Sequence, residues 1–220
     1  NLALLGEKPV LLGSAGNDYD EYLAWQKKHG IYTSLVHIVK GKQTATAYIM
    51  TDKADNQITG FHPGALQKSC QFSVLSSQLL KKVKMVIVSP GNNDDMRAIS
   101  KLCRQRHMPY IYDPGQEITR LSKKDLIAGM TGAKALIVND YELAMVQKKT
   151  SFTKKQLLDK VDILVTTLGE HGSQVEDRSS KTIIPVAKAK SVIDPTGAGD
   201  AYRAGFIYGL LRAWPLEKVG

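Results

Sequence analysis

Along the 220 residues, short runs rich in β-branched and aliphatic side chains alternate with longer stretches that keep one polar and one apolar face. The short runs are "VLLGS" near Val10, "VKMVIVS" from Val83, "PYIYD" from Pro109, "ALIVN" from Ala135 and "DILVTTLG" from Asp162. Between them, segments such as Asp94 to Arg106 and Thr153 to Lys160 have the apolar spacing of surface helices. Parallel neighbours in a sheet need a crossover, usually a helix, so the alternation predicts an α/β layered fold around a mostly parallel sheet.

Two stretches break the alternation. From Ser34 to His62 the chain has β-branched and aromatic residues, turns at Lys40-Gly41 and Asp52 to Asn56, and no helical period. This predicts a small antiparallel β lid at 34–62, with the core formed by 1–33 and 63–220. Later, "SQVEDRSSKTIIPVAKAKSVID" places a polar turn between two short strands and runs into "SVIDPTGAGDAYRAGFIYGLL", Ser191 to Leu211.

In that last segment small or apolar residues fall at Ala198, Ala201, Tyr202, Gly205, Phe206, Gly209, Leu210 and Ala213, the spacing of a helix with one buried face. Asp200 lies off this stripe, in the first turn. The first turn of a helix offers unpaired N–H groups and the positive end of the macrodipole, and Gly197 and Gly199 let a ligand approach the backbone. An aspartate in such an anion cradle makes chemical sense when the negative charge develops during reaction. Backbone donors at Gly197, Ala198 and Gly199 can then steady a phosphoryl group in transfer while Asp200 takes the proton of the attacking hydroxyl. A helix-start aspartate after a tight turn accounts for the same few residues without any chemistry.

Other glycine-loop chemistries fail on the residues. The dinucleotide fingerprint needs a third glycine where Tyr202 stands, and Gly41-Lys42 is followed by Gln43 where a phosphate loop needs Ser or Thr. Protein-kinase signatures are missing. Cys70 and Cys103 have neither disulfide nor zinc spacing, and His29, His37, His62, His107 and His171 are too dispersed for a metal site or triad. His62, in "GFHPG", reads either as a substrate contact or as a turn residue fixed by Pro63.

The formal charge of +9 raises the question of a nucleic-acid partner. The lysines, however, are scattered as pairs such as Lys27-Lys28, Lys81-Lys82 and Lys148-Lys149, not as a stripe interleaved with aromatics. A solvated surface is the first reading and attraction of a small polyphosphate the second; no nucleic-acid partner is expected. No apolar run approaches the roughly 18 residues of a membrane span, and the amino end lacks a signal layout, so a cytoplasmic protein with no membrane partner is expected.

"DPTGAGDAYRAG" closely resembles the carboxyl-terminal signature of the ribokinase-like (PfkB-type) family of sugar and nucleoside kinases. "NDYE" (Asn139 to Glu142) resembles its Asn-x-x-Glu element, "TLGEHG" (Thr167 to Gly172) its nucleotide-contacting Thr-x-Gly-x-x-Gly, and "NLALLGEKPVLLGSAGND" the segment after its first glycine motif. The likeness spans the chain. It implies a three-layer α/β/α fold with a small antiparallel lid that closes over the acceptor and excludes water. It also implies Asp200 as catalytic base and substrate contact, and Gly197, Ala198 and Gly199 as the anion hole. Asn139 and Glu142 would organise Mg²⁺ and ATP, the glutamate through water, with Thr167, Gly169, Gly172 and Thr196 around the nucleotide. Asn1 would end the substrate motif. A monovalent cation such as K⁺ is a further candidate cofactor, and a homodimer through lid strand edges a candidate assembly.

"TATAYIMTDKADNQITGFHPGAL" and "DPGQ" (Asp113 to Gln116) are most similar to the prokaryotic adenosine or nucleoside kinase branch, which makes adenosine the first acceptor and a free sugar such as ribose or fructose the alternative. A catalytically silent nucleoside- or ATP-binding regulator is the reading of another class, and the intact Asp200 and Glu142 count against it. Set beside the family, the chain is expected to lack a Gly-Gly pair before Asn1 and part of the adenine pocket beyond Gly220. The direction of Arg203, an added cation beside Asp200, does not follow from sequence.

Overall fold

The computed structural model describes residues 1–53, 57–70, 75, 77–189 and 196–220. The expected turn through 54–56 and the expected strand and Asp-Pro step at 191–195 lie outside the described residues. The chain divides into two compact units, Gly6–Leu80 and Asn1–Leu5 with Lys81–Gly220.

In the unit Gly6–Leu80, β1 (Val10–Ala15) and β2 (Tyr32–Ile38) are joined by helix α1 (Asp20–Lys28) and pair in parallel, Gly13 opposite Val36 and Ala15 opposite Ile38. β3 (Thr46–Thr51) and β4 (Gln57–His62) form an antiparallel hairpin, and the short α2 (Ser77–Leu80) closes the unit. The stretch 34–62 therefore has two parts. Its beginning belongs to a βαβ pair because α1 brings β2 alongside β1, and only 46–62 is the antiparallel hairpin. Asp18, just past β1, accepts hydrogen bonds at 2.7 Å from both the N–H and the hydroxyl of Thr44, which ties the approach to the hairpin to the βαβ pair. This is why the unit boundaries fall at 5/6 and 80/81 and not at the ends of the expected lid.

The other unit holds β5 (Val86–Val88), α3 (Asn93–Gln105), β6 (Tyr110–Tyr112), α4 (Lys123–Met130), β7 (Ala133–Asn139), α5 (Asp140–Thr150), α6 (Lys154–Leu158), β8 (Val161–Thr167), β9 (Ser173–Glu176), β10 (Lys181–Ile184), α7 (Ala198–Leu211) and α8 (Leu216–Val219). The sheet order is β10-β9-β8-β7-β6-β5; β5 to β8 run parallel, and β9 and β10 add on antiparallel. Alternate residues serve opposite faces. Tyr110, Tyr112, Leu136, Val138 and Leu164 pack with Met96, Leu126, Val146 and Leu157 of α3 to α6. Ile111, Ala135, Ile137, Ile163 and Val165 pack with Phe206 and Ile207 of α7 and Val219 of α8. The result is the three-layer α/β/α sandwich anticipated from sequence.

Helix α7 departs from its expected stripe. Ala204, Phe206, Ile207 and Gly209 are buried, whereas Ala201 and Ala213 are exposed. The helix packs on the sheet through Phe206 and also receives the returning α8, whose Val219 Cγ2 would stand 3.0 Å from a Cβ placed on Gly209. That second contact rotates the buried arc. Both cysteines are buried thiols, and burial pushes the Cys103 thiol up to about 11. Among the described residues no helix is long and apolar enough to cross a membrane.

Candidate active site

Because β6, β7 and β8 run parallel, their carboxyl ends share one edge of the sheet, the edge where open α/β folds bind ligands. Asp113 directly follows β6, Asn139 ends β7 and Thr167 ends β8, with Asn139 and Thr167 facing each other in register. Asn139 caps α5. Its Oδ1 accepts from the Glu142 N–H at 2.7 Å, and Glu142 Oε2 accepts from the Asn139 N–H at 2.9 Å, a reciprocal capping box. The two residues singled out for the nucleotide thus hold each other, and Glu142 Oε1 and Asn139 Nδ2 are the atoms this box leaves over for a ligand. The turn after β8 carries Gly169 and Gly172 at its two ends, closed by the Leu168 N–H on the Gly172 carbonyl at 2.8 Å.

Thr196 and Gly197 form the turn before α7. Gly197 sits at φ +82°, a left-handed value that glycine adopts freely, and its carbonyl accepts the first intrahelical bond, from Ala201 N–H at 2.9 Å. The N–H groups of Ala198, Gly199 and Asp200 are then the first-turn donors with no acceptor in the helix. All five residues from Thr196 to Asp200 are exposed, and the Asp200 side chain is 76% accessible. The mouth of α7 therefore presents several donors and one carboxylate to the same solvent-filled space.

Two further residues join this group. Arg203, one turn beyond Asp200, reaches Asp113: Nη2 donates to Oδ1 at 3.1 Å and Nε lies 2.5 Å from Oδ2, close but off the hydrogen-bond line. Its Nη1 stands 3.6 Å from Asp200 Oδ1. Burial raises the Asp113 carboxyl to about 6; Arg203 opposes the shift, while the negative charges of Glu142 and Asp200 add to it. Arg203 thus touches both Asp113 and Asp200, while the Asn139–Glu142 box stands at the carboxyl end of β7, the strand beside β6. Sequence reading used "DPGQ" only as a family likeness and missed Asp113 as a site residue; its place straight after a core strand of a parallel sheet was the available signal. The contacts of Asn1 are local: it is exposed and its carbonyl accepts from the Leu5 N–H at 3.1 Å.

The raised Asp113 pKa has a consequence for stability. A carboxyl whose folded pKa lies above its unfolded value supports the fold fully below about pH 4 and loses that support as pH climbs through about 6. Relative to Asp113→Asn, wild-type stability is expected to decline between about pH 4 and pH 7 by on the order of 2 kcal/mol. Urea unfolding midpoints of the two proteins across that window measure the effect, and a constant difference contradicts it.

Among the described residues no three His, Cys, Asp or Glu side chains converge into a metal cage. Mg²⁺ asks for none, being held through one or two carboxylates, phosphate oxygens and water. A single reachable carboxylate oxygen on Glu142, beside two other acidic groups, fits that mode.

With this geometry in place, comparison with known proteins decides the family. The sequence pattern that defines the pfkB family carbohydrate kinase matches residues 1–220. The chain belongs to that family. Its enzyme class follows, an ATP-dependent kinase of the nucleoside and carbohydrate type. Among its relatives is a nucleoside kinase of Methanocaldococcus jannaschii, 31% identical over 218 residues that cover 98% of this chain and 70% of that protein. The solved nucleoside kinase of Burkholderia thailandensis in complex with inosine superposes with a TM-score of 0.94 at 33% identity, covering all of this chain and 73% of the other. The same enzyme with ADP and inosine gives a TM-score of 0.88 at 34% identity over 96% of this chain and 65% of that one.

Proposed function

We propose that the protein transfers the γ-phosphoryl group of ATP to the 5′-hydroxyl of a nucleoside, with adenosine, giving AMP, as the first acceptor. The observation that carries this reading is the mouth of α7, where first-turn N–H groups without a helical acceptor and an accessible Asp200 lie beside Arg203, which in turn holds Asp113 at the end of β6. Asp200 accepts the acceptor hydroxyl's proton, and the N–H groups around Gly197, Ala198 and Gly199 stabilise charge on the group in transfer. Bound Mg²⁺–ATP supplies the phosphoryl group and its leaving group; Glu142 and Asn139 would hold it, with Thr167, Gly169, Gly172 and Thr196 beside the nucleotide. Likeness to an inosine-bound nucleoside kinase supports a purine nucleoside over a free sugar.

Two finer points belong to the same proposal. The β3–β4 hairpin is assigned the role of lid. Its Tyr48, Ile49, Met50, Ile58 and Phe61 are exposed, apolar surface that suits pairing with the hairpin of a second copy. The buried reduced thiols suit a reducing, ATP-containing compartment such as the cytoplasm.

ADP formation with adenosine, inosine, cytidine, ribose and fructose as acceptors, with and without K⁺, tests the assignment. Nucleoside-dependent ADP is the expected outcome. Turnover with free sugars alone would keep the chemistry and replace the acceptor, and binding of ATP without any acceptor-dependent turnover would favour a regulator.

A further inference from the structure

Arg203 follows Asp200 by one helical turn, so the two side chains leave α7 on the same side. Two nitrogens of its guanidinium are committed to Asp113, Nη2 at 3.1 Å from Oδ1 and Nε at 2.5 Å from Oδ2. One hydrogen bond and one close ion contact, with Nε off the hydrogen-bond line, hold the guanidinium against Asp113. The anchor is buried, the Asp113 side chain being 3% exposed and that of Arg203 21%. The third nitrogen points the other way. Nη1 lies 3.6 Å from Asp200 Oδ1 and 2.7 Å from where a Cβ on Gly199 would stand, so it rests directly over the backbone of the loop expected to cradle the phosphoryl group.

A surface ion pair with Asp200 explains little of this arrangement. Asp200 is largely solvated, and an exposed pair one turn apart contributes only about 0.3–0.5 kcal/mol. Burying a carboxylate as deeply as Asp113 carries a desolvation cost that a packed apolar pair would avoid, so stability alone does not account for the pair. What the pair does is aim one rigid N–H edge at the mouth of α7.

We infer that Arg203 is a catalytic residue that donates from Nη1 to an oxygen of the phosphoryl group in transfer, and that Asp113 is the residue that positions it. The inference rests on the kinase reading above and goes beyond it. As the acceptor oxygen forms its bond to phosphorus, its proton passes to Asp200. The bond from phosphorus to the bridging oxygen breaks and ADP leaves with the electron pair. Arg203 gains or loses no proton in this step; its fixed charge stabilises the oxygens as negative charge spreads over them. The glycine at 199 leaves room for the guanidinium to lie there.

The test compares wild type with Arg203→Ala, Arg203→Lys and Asp113→Asn, each first checked for folding by circular dichroism. Arg203→Ala is expected to lower kcat by about 10²- to 10³-fold with the KM values for ATP and nucleoside within about threefold. Arg203→Lys retains charge without the planar guanidinium and its second donor edge and should lower kcat by about tenfold or more, and Asp113→Asn should fall between wild type and Arg203→Ala. Added guanidinium ion should restore part of the activity of Arg203→Ala and none of Asp200→Asn. Independently of turnover, aluminium fluoride should tighten ADP binding in the presence of adenosine for wild type, measured by calorimetry, and should lose that effect in Arg203→Ala while ADP alone still binds.

A kcat within twofold of wild type in folded Arg203→Ala, a loss confined to KM, or an intact aluminium fluoride effect each overturns the inference. If Arg203→Ala does not fold, a kcat of Arg203→Lys within twofold of wild type overturns it equally. Wild type that forms no acceptor-dependent ADP marks failure of the kinase reading itself, which is a different result from an active Arg203 variant.

Discussion

Replacing Asp200 by Asn is expected to leave a folded protein whose kcat falls by about 10³-fold, within the range for losing a positioned general base, while KM for ATP changes little. Asn has nearly the same shape, and the site is 76% exposed, so packing is not at stake. The amide still sits in the first turn of α7 and forfeits the interaction of a charge with the helix end, about 0.3–1 kcal/mol, and the weak ion pair with Arg203. The change therefore separates catalysis from stability. Steady-state kinetics together with a thermal unfolding curve make the measurement; an unaltered kcat removes Asp200 from the chemistry, and a collapsed unfolding midpoint makes it a structural residue.

Gly172→Ala is expected to have the largest effect on stability, a loss of about 3 kcal/mol or more. Gly172 has φ +84° and ψ −133°, a conformation in which a side chain is strained, and a Cβ there would stand 2.0 Å from the carbonyl oxygen of Ile184 on the neighbouring β10. Backbone cannot step aside as a flexible side chain can. Its carbonyl also accepts from Leu168 N–H at 2.8 Å, so any adjustment disturbs the turn that links β8 to β9. Gly169, at the other end of the same turn, has φ +58° and open space around a would-be Cβ. Gly169→Ala should therefore lose only about 1 kcal/mol from left-handed strain. Denaturant midpoints of the two variants test the contrast, and equal losses would contradict it. One glycine of the proposed nucleotide motif is thus required by the fold itself, whatever it contributes to binding.

The parallel strands were legible because each is a compact apolar run bounded by polar punctuation, and the helices because their stripes face a sheet. The opening of α7 was legible from the glycines and from Asp200 alone. Other features depended on partners distant in sequence. The start of the expected lid is a strand of a βαβ pair because of its pairing with β1, which local composition does not encode. The buried arc of α7 is rotated by α8, which lies beyond the helix. Asp113 was passed over because its importance comes from Arg203, ninety residues away. The same pair gives Arg203 the direction that its own position in the sequence left open.

The central claim, that phosphoryl transfer ends on the 5′-hydroxyl of a nucleoside, is tested most directly by identifying the product. Phosphorus NMR of a reaction containing ATP and adenosine should show a 5′-monophosphate appearing in step with ADP, and 5′-deoxyadenosine, which lacks the accepting hydroxyl, should give no ADP above background. Phosphate attached elsewhere on the ribose, or ADP released at the same rate with 5′-deoxyadenosine, would contradict the account.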